Sequence, residues 1–498
     1  MSSKITRRRF LGAAAAGGAW IALIGTIGCE RSLRARAIAA PAGGKQPWAF
    51  RSLPKLGPPA VEVTEKARDT APGYIFVAPQ AGDAGQGGSL IVDDRGQVVW
   101  FRPLPSSHGR AMNLKVQSYR GRPVLTWIET VPGEYVIFDG SYHEIARVRA
   151  GNGYSGDHHE FLISPQDTAL ITIYNAVLQS LSSFGGPKDG VAVQGIVQEL
   201  NIETGEVLFE WRSLEHVGLD ETYAKPGQDA DYPGIDYFHI NSIDVDHDGN
   251  LLVSARETFA VYKIDRKTGE VMWRLGGKKS DFEMGPGARF AFQHDARRLP
   301  DGTISIFDNG TVVFHNGSPR AVEESRGIVL ELDERKMKAS LVRQYSHPDG
   351  LRADAAGNVQ VLPNGNVFVG WGRALAISEF GHDGELLFDA SLPSGNRSYR
   401  AFRFPWSGHP TDRPAAVAKR ASEEEVRVYA SWNGATEVAT WEVLAGSGPD
   451  RLKLAGSAPR RGFETALTLQ TDEPYVAVKA KDISGRVLGT SKTLKPAG

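Results

Sequence analysis

The sequence predicts an all-β protein, and three observations carry that expectation. Short runs of β-branched and aromatic residues recur along the chain, joined by turns rich in glycine, asparagine and aspartate. Long stretches of helical periodicity are absent. The runs also fall into a repeating unit: strand, polar turn, strand, looser connection, third strand ending near an acidic residue, turn, fourth strand.

Two copies show the unit most clearly. One runs through Gly249-Asn250-Leu251-Leu252-Val253-Ser254, Val261-Tyr262-Lys263-Ile264-Asp265 and Thr268-Gly269-Glu270-Val271-Met272-Trp273. The other has Ala169-Leu170-Ile171-Thr172-Ile173, Val197-Gln198-Glu199-Leu200 and Thr204-Gly205-Glu206-Val207-Leu208-Phe209. Weaker copies begin near Gly88, Arg122, Thr303 and Asn366. Six such units across residues 70–405 predict a six-bladed β-propeller, whose radial closure leaves only short sheet edges.

The repeat stops after Pro405-Trp406-Ser407-Gly408-His409-Pro410. Alternating strands such as Val426-Arg427-Val428-Tyr429-Ala430 and Tyr475-Val476-Ala477-Val478-Lys479 then predict a small immunoglobulin- or fibronectin-like β-sandwich over 413–498. It has no chemical constellation of its own. Its expected role is to cover a propeller face or form an interface.

Residues 1–39 read as an export address, and residues 40–69 as linker and lead-in. Thr6-Arg7-Arg8-Arg9-Phe10-Leu11 is a twin-arginine pattern, and the apolar run after it, about 15 residues, is short for a membrane span. Two processing sites compete. Cleavage before Cys29 makes that residue a lipid anchor; cleavage after Ala37-Ile38-Ala39 removes it. Either way the protein is expected outside the cytoplasm: secreted, periplasmic, or anchored on the outer face of the membrane. Cys29 is the single cysteine, so the mature fold has no internal disulfide. A net charge of −1 gives no general attraction to nucleic acid.

The chemistry-bearing signal is three histidines. Asp157-His158-His159-Glu160-Phe161, Phe238-His239-Ile240-Asn241-Ser242 and Gln293-His294-Asp295-Ala296-Arg297 each lie one strand length before a polar turn. That places His159, His239 and His294 near the start of the innermost strand of three consecutive blades, at one mouth of the channel. Neutral imidazoles there serve as bases, nucleophiles or ligands. Strand alternation would point His158 away from the channel, as a structural residue. Asn241, Asp295 and Asn309 are the polar neighbours expected to bind substrate. Arg326 and Arg256 are guanidinium groups suited to an oxyanion.

Phe238-His239-Ile240-Asn241-Ser242-Ile243-Asp244, Gln293-His294-Asp295 with Phe307-Asp308-Asn309-Gly310, and Val359-Gln360-Val361-Leu362-Pro363-Asn364-Gly365-Asn366 resemble the bacterial arylsulfotransferase family, which uses no nucleotide sulfate donor. The segments Tyr429–Thr436 and Trp441–Gly446 resemble the tail of actinobacterial members. The resemblance spans the whole propeller region. It implies a six-bladed propeller that moves a sulfuryl group from a phenolic sulfate ester to a phenol, through a sulfohistidine and without a cofactor or metal. It also implies that His239 and His294 match the donor and acid/base histidines, and Arg326 the sulfuryl-binding arginine. The expected partners are thus a small aryl sulfate and a phenol.

One departure stands out. Aligning Leu299-Pro300-Asp301-Gly302 with Leu362-Pro363-Asn364-Gly365 puts Gly357 opposite His294, where a further histidine is expected. Either His159, His239, His294 or His347 takes the nucleophile's part, or the transfer chemistry is lost. Two other functions compete on the residues alone: a propeller that binds a ligand without catalysis, and a metal-assisted hydrolase.

Overall fold

The computed structural model describes residues 46–228, 234–315 and 318–498. The twin-arginine segment, Cys29 and both processing sites lie outside them. The described residues are all-β apart from a few single turns of helix. Between residues 62 and 404 the long strands build six sheets, each with a run of at least four antiparallel strands.

The innermost strands, in chain order, are Ala111–Tyr119, Phe161–Ile163, Ile240–Val245, His294–Arg298, Asn358–Val361 and Ala401–Phe404. Each lies against the next, and Ala401–Phe404 lies against Ala111–Tyr119, so the sheets form a closed, propeller-like ring. Ala401–Phe404 pairs with Tyr74–Val77 in one sheet, with Ile75 opposite Arg403. Strands from the two ends of the ring therefore share one ladder, and opening the ring requires breaking it. Glu62–Glu65, inside the stretch read as lead-in, pairs with Leu386–Ser391 and covers the outer edge of another sheet.

Asparagine and glutamine in these inner strands have a physical task. Neighbouring sheets do not exchange ladder hydrogen bonds here, so side-chain amides replace the missing backbone. Asn358 accepts from Ala401 N–H at 2.9 Å and donates to its carbonyl at 2.8 Å. Gln360 does the same to Arg403, at 2.8 and 2.9 Å. Gln117 reaches Ile163 N–H and Phe161 O, and Asn241 reaches Gln293 O. An amide carries both a donor and an acceptor, which lets it act as a one-residue strand.

Packing between sheets explains the continuous apolar runs. Leu251–Ala255 is buried along its whole length because both of its faces meet a neighbouring sheet. Fully burying one such side chain contributes about 1.5–3 kcal/mol, which lets the described fold dispense with disulfides.

After residue 413 two further sheets enclose one core. Ala415–Arg420, Glu425–Ser431 and Glu464–Gln470 form the first; Thr440–Gly446, Lys453–Pro459, Tyr475–Lys481 and Val487–Thr490 form the second. Val426, Val428, Trp441, Val443, Val476 and Val478 fill the space between them. The pair docks on the strand Val98–Pro103: Asn433 bonds both backbone groups of Phe101 at 2.9 Å. Gly434 follows with φ 89° against the Tyr142 ring, where a Cβ would collide. Only glycine suits that turn.

Candidate active site

The site forms at one end of the inner strands. His294 opens its strand, His239 immediately precedes Ile240–Val245, and His159 lies just before Phe161–Ile163. The loop holding His159 is fixed by its own backbone: Asp157 N–H donates to Thr172 O at 3.0 Å, and Tyr135 O–H donates to Asp157 O at 2.8 Å. His239 has φ 52°, a left-handed conformation uncommon for a residue with a Cβ. Asp236, on the short strand Ile235–Asp236, is thereby brought against its ring.

His159 and His239 share one design. His159 Nδ1–H donates to Asp157 Oδ2 at 2.6 Å, and His239 Nδ1–H donates to Asp236 Oδ2. Each carboxylate fixes the tautomer and leaves the Nε2 lone pair for chemistry. The two rings meet edge to face at 5.1 Å. Tyr174 lies 5.2 Å from His159 and 5.4 Å from His239, and Tyr399 adds a wall 5.5 Å from His159.

His158 stacks on His159 at 4.3 Å and shares the same carboxylate, with Nδ1 at 3.3 Å from Asp157 Oδ1. The expectation that it points away is corrected. Strand pairing begins only at Phe161, so alternation does not govern residues 157–160. Its side chain is 24% exposed, the most open of these imidazoles.

Burial keeps His158, His159, His239 and His294 neutral. It holds His239 well below the ordinary histidine range, with Arg256 adding to the effect, and lowers His159 against the pull of Asp157. His158 is pushed down to about 4 by burial, with contributions from His159 and Arg110. Arg373 also acts on His239. Four guanidinium charges, Arg110, Arg256, Arg373 and Arg400, thus act on the histidine cluster from the residues around it. Asp157, His158 and His159 hold ligand atoms within 4.8 Å of one another, a spacing a metal ion could use. The arginines favour an anion there over a dication.

His294 is different. Its Nδ1–H donates to Asn309 Oδ1 at 2.7 Å, and its Nε2 accepts Ala356 N–H at 3.2 Å. Asn309 in turn donates to the carbonyls of Ala353 and Ala356. Both residues therefore tie one sheet to the next, and neither ring nitrogen of His294 is open to a substrate. His347 is likewise engaged, accepting from Asp349 N–H through Nδ1 and facing Asp389 through Nε2.

Arg326 is also committed. It pairs with Asp308 at 3.0 Å and donates to Gln344, Gly287 O and Arg289 O. Arg256, by contrast, acts on both His239 and His294 and lies buried over the Phe292 ring beside Glu257. Asp295 pairs with Arg297 and Arg400, and Asn241 accepts Arg400 through its carbonyl. They belong to a buried ion network along the axis with Lys115, Glu160 and Asp244. Burial brings Lys115 down to about 8 and Asp244 up to about 6. Sequence reasoning missed Asp157, Asp236, Tyr174, Tyr399, Arg373 and Arg400. Asp157 and Asp236 had a signal, lying two residues before His159 and three before His239; the rest come from other sheets or connections and had none.

The family profile described as arylsulfotransferase (ASST) matches residues 115–392. The chain belongs to that family. The matched span takes in strands of five of the six sheets, from that of Ala111–Tyr119 to that of Asn358–Val361, and with them His159, His239 and Arg256. The protein is accordingly a sulfotransferase-like enzyme, with small aryl sulfates and phenols as its substrate class. No protein with a curated description matches the sequence. Among solved structures, the chain is similar to a Bacteroides caccae protein of unknown function, at 14% identity, covering 67% of this chain and 100% of that one, TM-score 0.40. It is similar to virginiamycin B lyase of Staphylococcus aureus at 9% identity, 74% and 95% coverage, TM-score 0.35. Hydrazine synthase of Kuenenia stuttgartiensis shows 12% identity, 72% and 90% coverage, TM-score 0.35.

Proposed function

We propose that this protein is an exported aryl sulfotransferase that moves a sulfuryl group from a phenolic sulfate ester to a phenol through His239. The observation that carries the reading is the pair of neutral imidazoles, His159 and His239, each with Nδ1 held by a carboxylate and the two in contact at 5.1 Å. In the first half-reaction His239 Nε2 attacks sulfur; the N–S bond forms, the S–O bond to the aryl group breaks, and the phenolate leaves. Asp236 steadies the sulfated ring, and Arg256 offsets charge on the sulfuryl oxygens. In the second half-reaction His159 Nε2 takes the proton of the acceptor phenol, whose oxygen attacks sulfur as the N–S bond breaks. The proton then passes to solvent, where the first phenolate is protonated.

The same proposal includes the finer architecture: a six-bladed β-propeller over 70–405 followed by an immunoglobulin- or fibronectin-like sandwich over 413–498. It also includes export by the twin-arginine route, with Cys29 as the lipid anchor where cleavage precedes it. These rest on the repeat, on the ring of sheets and on residues 1–39 of the sequence.

The test is transfer from a chromogenic aryl sulfate to a phenol with no nucleotide present. Activity lost in His239→Ala, with a sulfuryl mass increment on the His239 peptide of donor-treated wild type, is the expected result. No transfer across a panel of donors, together with no mass increment on any histidine, overturns it.

A further inference from the structure

A cavity of about 380 Å³ lies between the sheet of Gly88–Val92 and the sheet of Ala111–Tyr119, with His158 in its wall. Its size suits a single substituted aromatic ring. Leu104, Ala111, Met112 and Val131 give it apolar sides, and Thr130 supplies a hydroxyl. Arg110 is the one charged residue in the lining apart from the titratable His158, and no carboxylate lines it.

Arg110 is unlike the other arginines near the histidines. Arg400 and Arg326 are tied to carboxylates, and Arg256 to Glu257. The Arg110 backbone is anchored, its N–H donating to Thr130 Oγ1 at 2.9 Å. Its guanidinium forms no ion pair or side-chain hydrogen bond among the described residues, although its charge acts on His158. A fixed base with an uncommitted planar cation in a cavity without acidic groups is a carboxylate receptor. The opposite end of the relation is chemical: His158 stacks on His159, the imidazole assigned to the acceptor's proton.

We infer that this cavity binds the acceptor, and that Arg110 selects phenols with an anionic substituent such as a carboxylate. The inference rests on the sulfuryl-transfer reading for the word acceptor, and on the cavity alone for the ligand's charge. The ring lies between the apolar walls, its carboxylate meets Arg110, and its hydroxyl points past His158 towards His159.

The experiment uses the full chain with para-nitrophenyl sulfate as donor and either phenol or para-hydroxyphenylacetate as acceptor. The readout is the ratio of kcat/KM for the two acceptors in wild type, Arg110→Met and Arg110→Lys. The wild type is expected to favour the carboxylated phenol by at least about tenfold, the size of one charged hydrogen bond, with the ratio collapsing in Arg110→Met and partly restored in Arg110→Lys. A wild-type ratio near one, or an equal loss on both acceptors in Arg110→Met, overturns the inference; the second outcome would assign Arg110 to the donor sulfate. Calorimetric binding of para-hydroxyphenylacetate separates the two readings. Binding weakened about tenfold by Arg110→Met, with no transfer at all, sinks the transfer reading and leaves the cavity assignment standing. Absent binding, or binding indifferent to Arg110, sinks the cavity assignment.

Discussion

Asp157 accepts the Nδ1–H of His159 at 2.6 Å and its backbone N–H at 2.9 Å through one oxygen, Oδ2, so carboxylate and imidazole form a single rigid unit. Thr172 Oγ1 donates to that oxygen as well, at 3.0 Å. Its position makes Asp157 a positioning residue rather than a group that touches substrate. Asp157→Asn keeps the shape but can present its amide N–H to His159, which reverses the tautomer. Transfer is expected to fall about 10²–10⁴-fold with the fold preserved, measured by initial rates beside circular dichroism. Unchanged rates would remove His159 from the reaction.

His239 and His294 should separate cleanly in a variant pair. His239→Ala removes the proposed nucleophile, so transfer is expected to vanish at modest cost in stability. His294→Ala removes a ring bonded on both sides, leaving Asn309 Oδ1 and Ala356 N–H unsatisfied in the interior. The expected cost is about 2–5 kcal/mol in urea unfolding. A stable His294→Ala protein without activity would return His294 to the chemistry.

Much of this was legible in the chain. The repeat marked the sheets because the strands are buried on both faces, leaving turn residues as the only polar punctuation. His159, His239 and His294 stood out as a set of three because each precedes the same kind of polar turn by one strand length. What sequence could not show is what each ring nitrogen bonds to. His294 and His239 look equivalent in pattern, yet one faces Asn309 and a backbone N–H while the other faces Asp236. Arg326 and Arg256 differ likewise. Glu257 beside Arg256 is local, but the contacts that set the two apart reach distant loops, Gly287 and Arg289 for Arg326 and Phe292 for Arg256, and such contacts leave no local spacing.

That difference between the arginines is itself testable. Arg256→Met should cut transfer by about 10²–10³-fold, as for loss of one preorganised charge donor. Arg326→Met should instead lower stability by about 1–3 kcal/mol, leaving Asp308 buried without its cation, while the donor KM stays near wild type. Steady-state kinetics and urea unfolding on both variants decide. A rise in donor KM confined to Arg326→Met would restore the role implied by family resemblance.

The buried imidazoles also set a pH dependence. His158, His159 and His239 have folded-state pKa values below that of an unfolded histidine, near 6.5. As pH falls through about 6.5 the unfolded chain takes up protons that the folded protein refuses, so stability declines, at up to about 1.4 kcal/mol per unit for each such group. Asp244, up at about 6, works in the opposite sense, because the folded state holds its proton between about pH 4 and 6. Burial raises Asp308 and Glu379 as well, but with His294 also lowered, four histidines outweigh these carboxyls across that range. The urea midpoint should therefore drop between pH 7 and 5, and His158→Gln should flatten part of the drop. Because the reactive imidazoles stay neutral, transfer should hold level from pH 8 to below 6.5. Loss of half the rate near 6.5 would mean an ordinary histidine carries the reaction.

Gly357, where a further histidine is expected from the repeat, has a steric reason to be glycine. Its φ is 106°, and a Cβ there would strike the Phe307 ring. The neighbouring Ala356 N–H already fills the acceptor site on His294 Nε2. The backbone itself thus occupies the place a side chain would take, and the missing imidazole is excluded by packing against Phe307. Gly357→His should accordingly destabilise the fold by about 3 kcal/mol or more and lower transfer rather than raise it. Gly357→Ala separates the two contributions. It adds only the Cβ, so a similar loss of stability assigns the effect to backbone and Phe307 contact, whereas a neutral Gly357→Ala with an active Gly357→His would show that the site accepts the histidine after all.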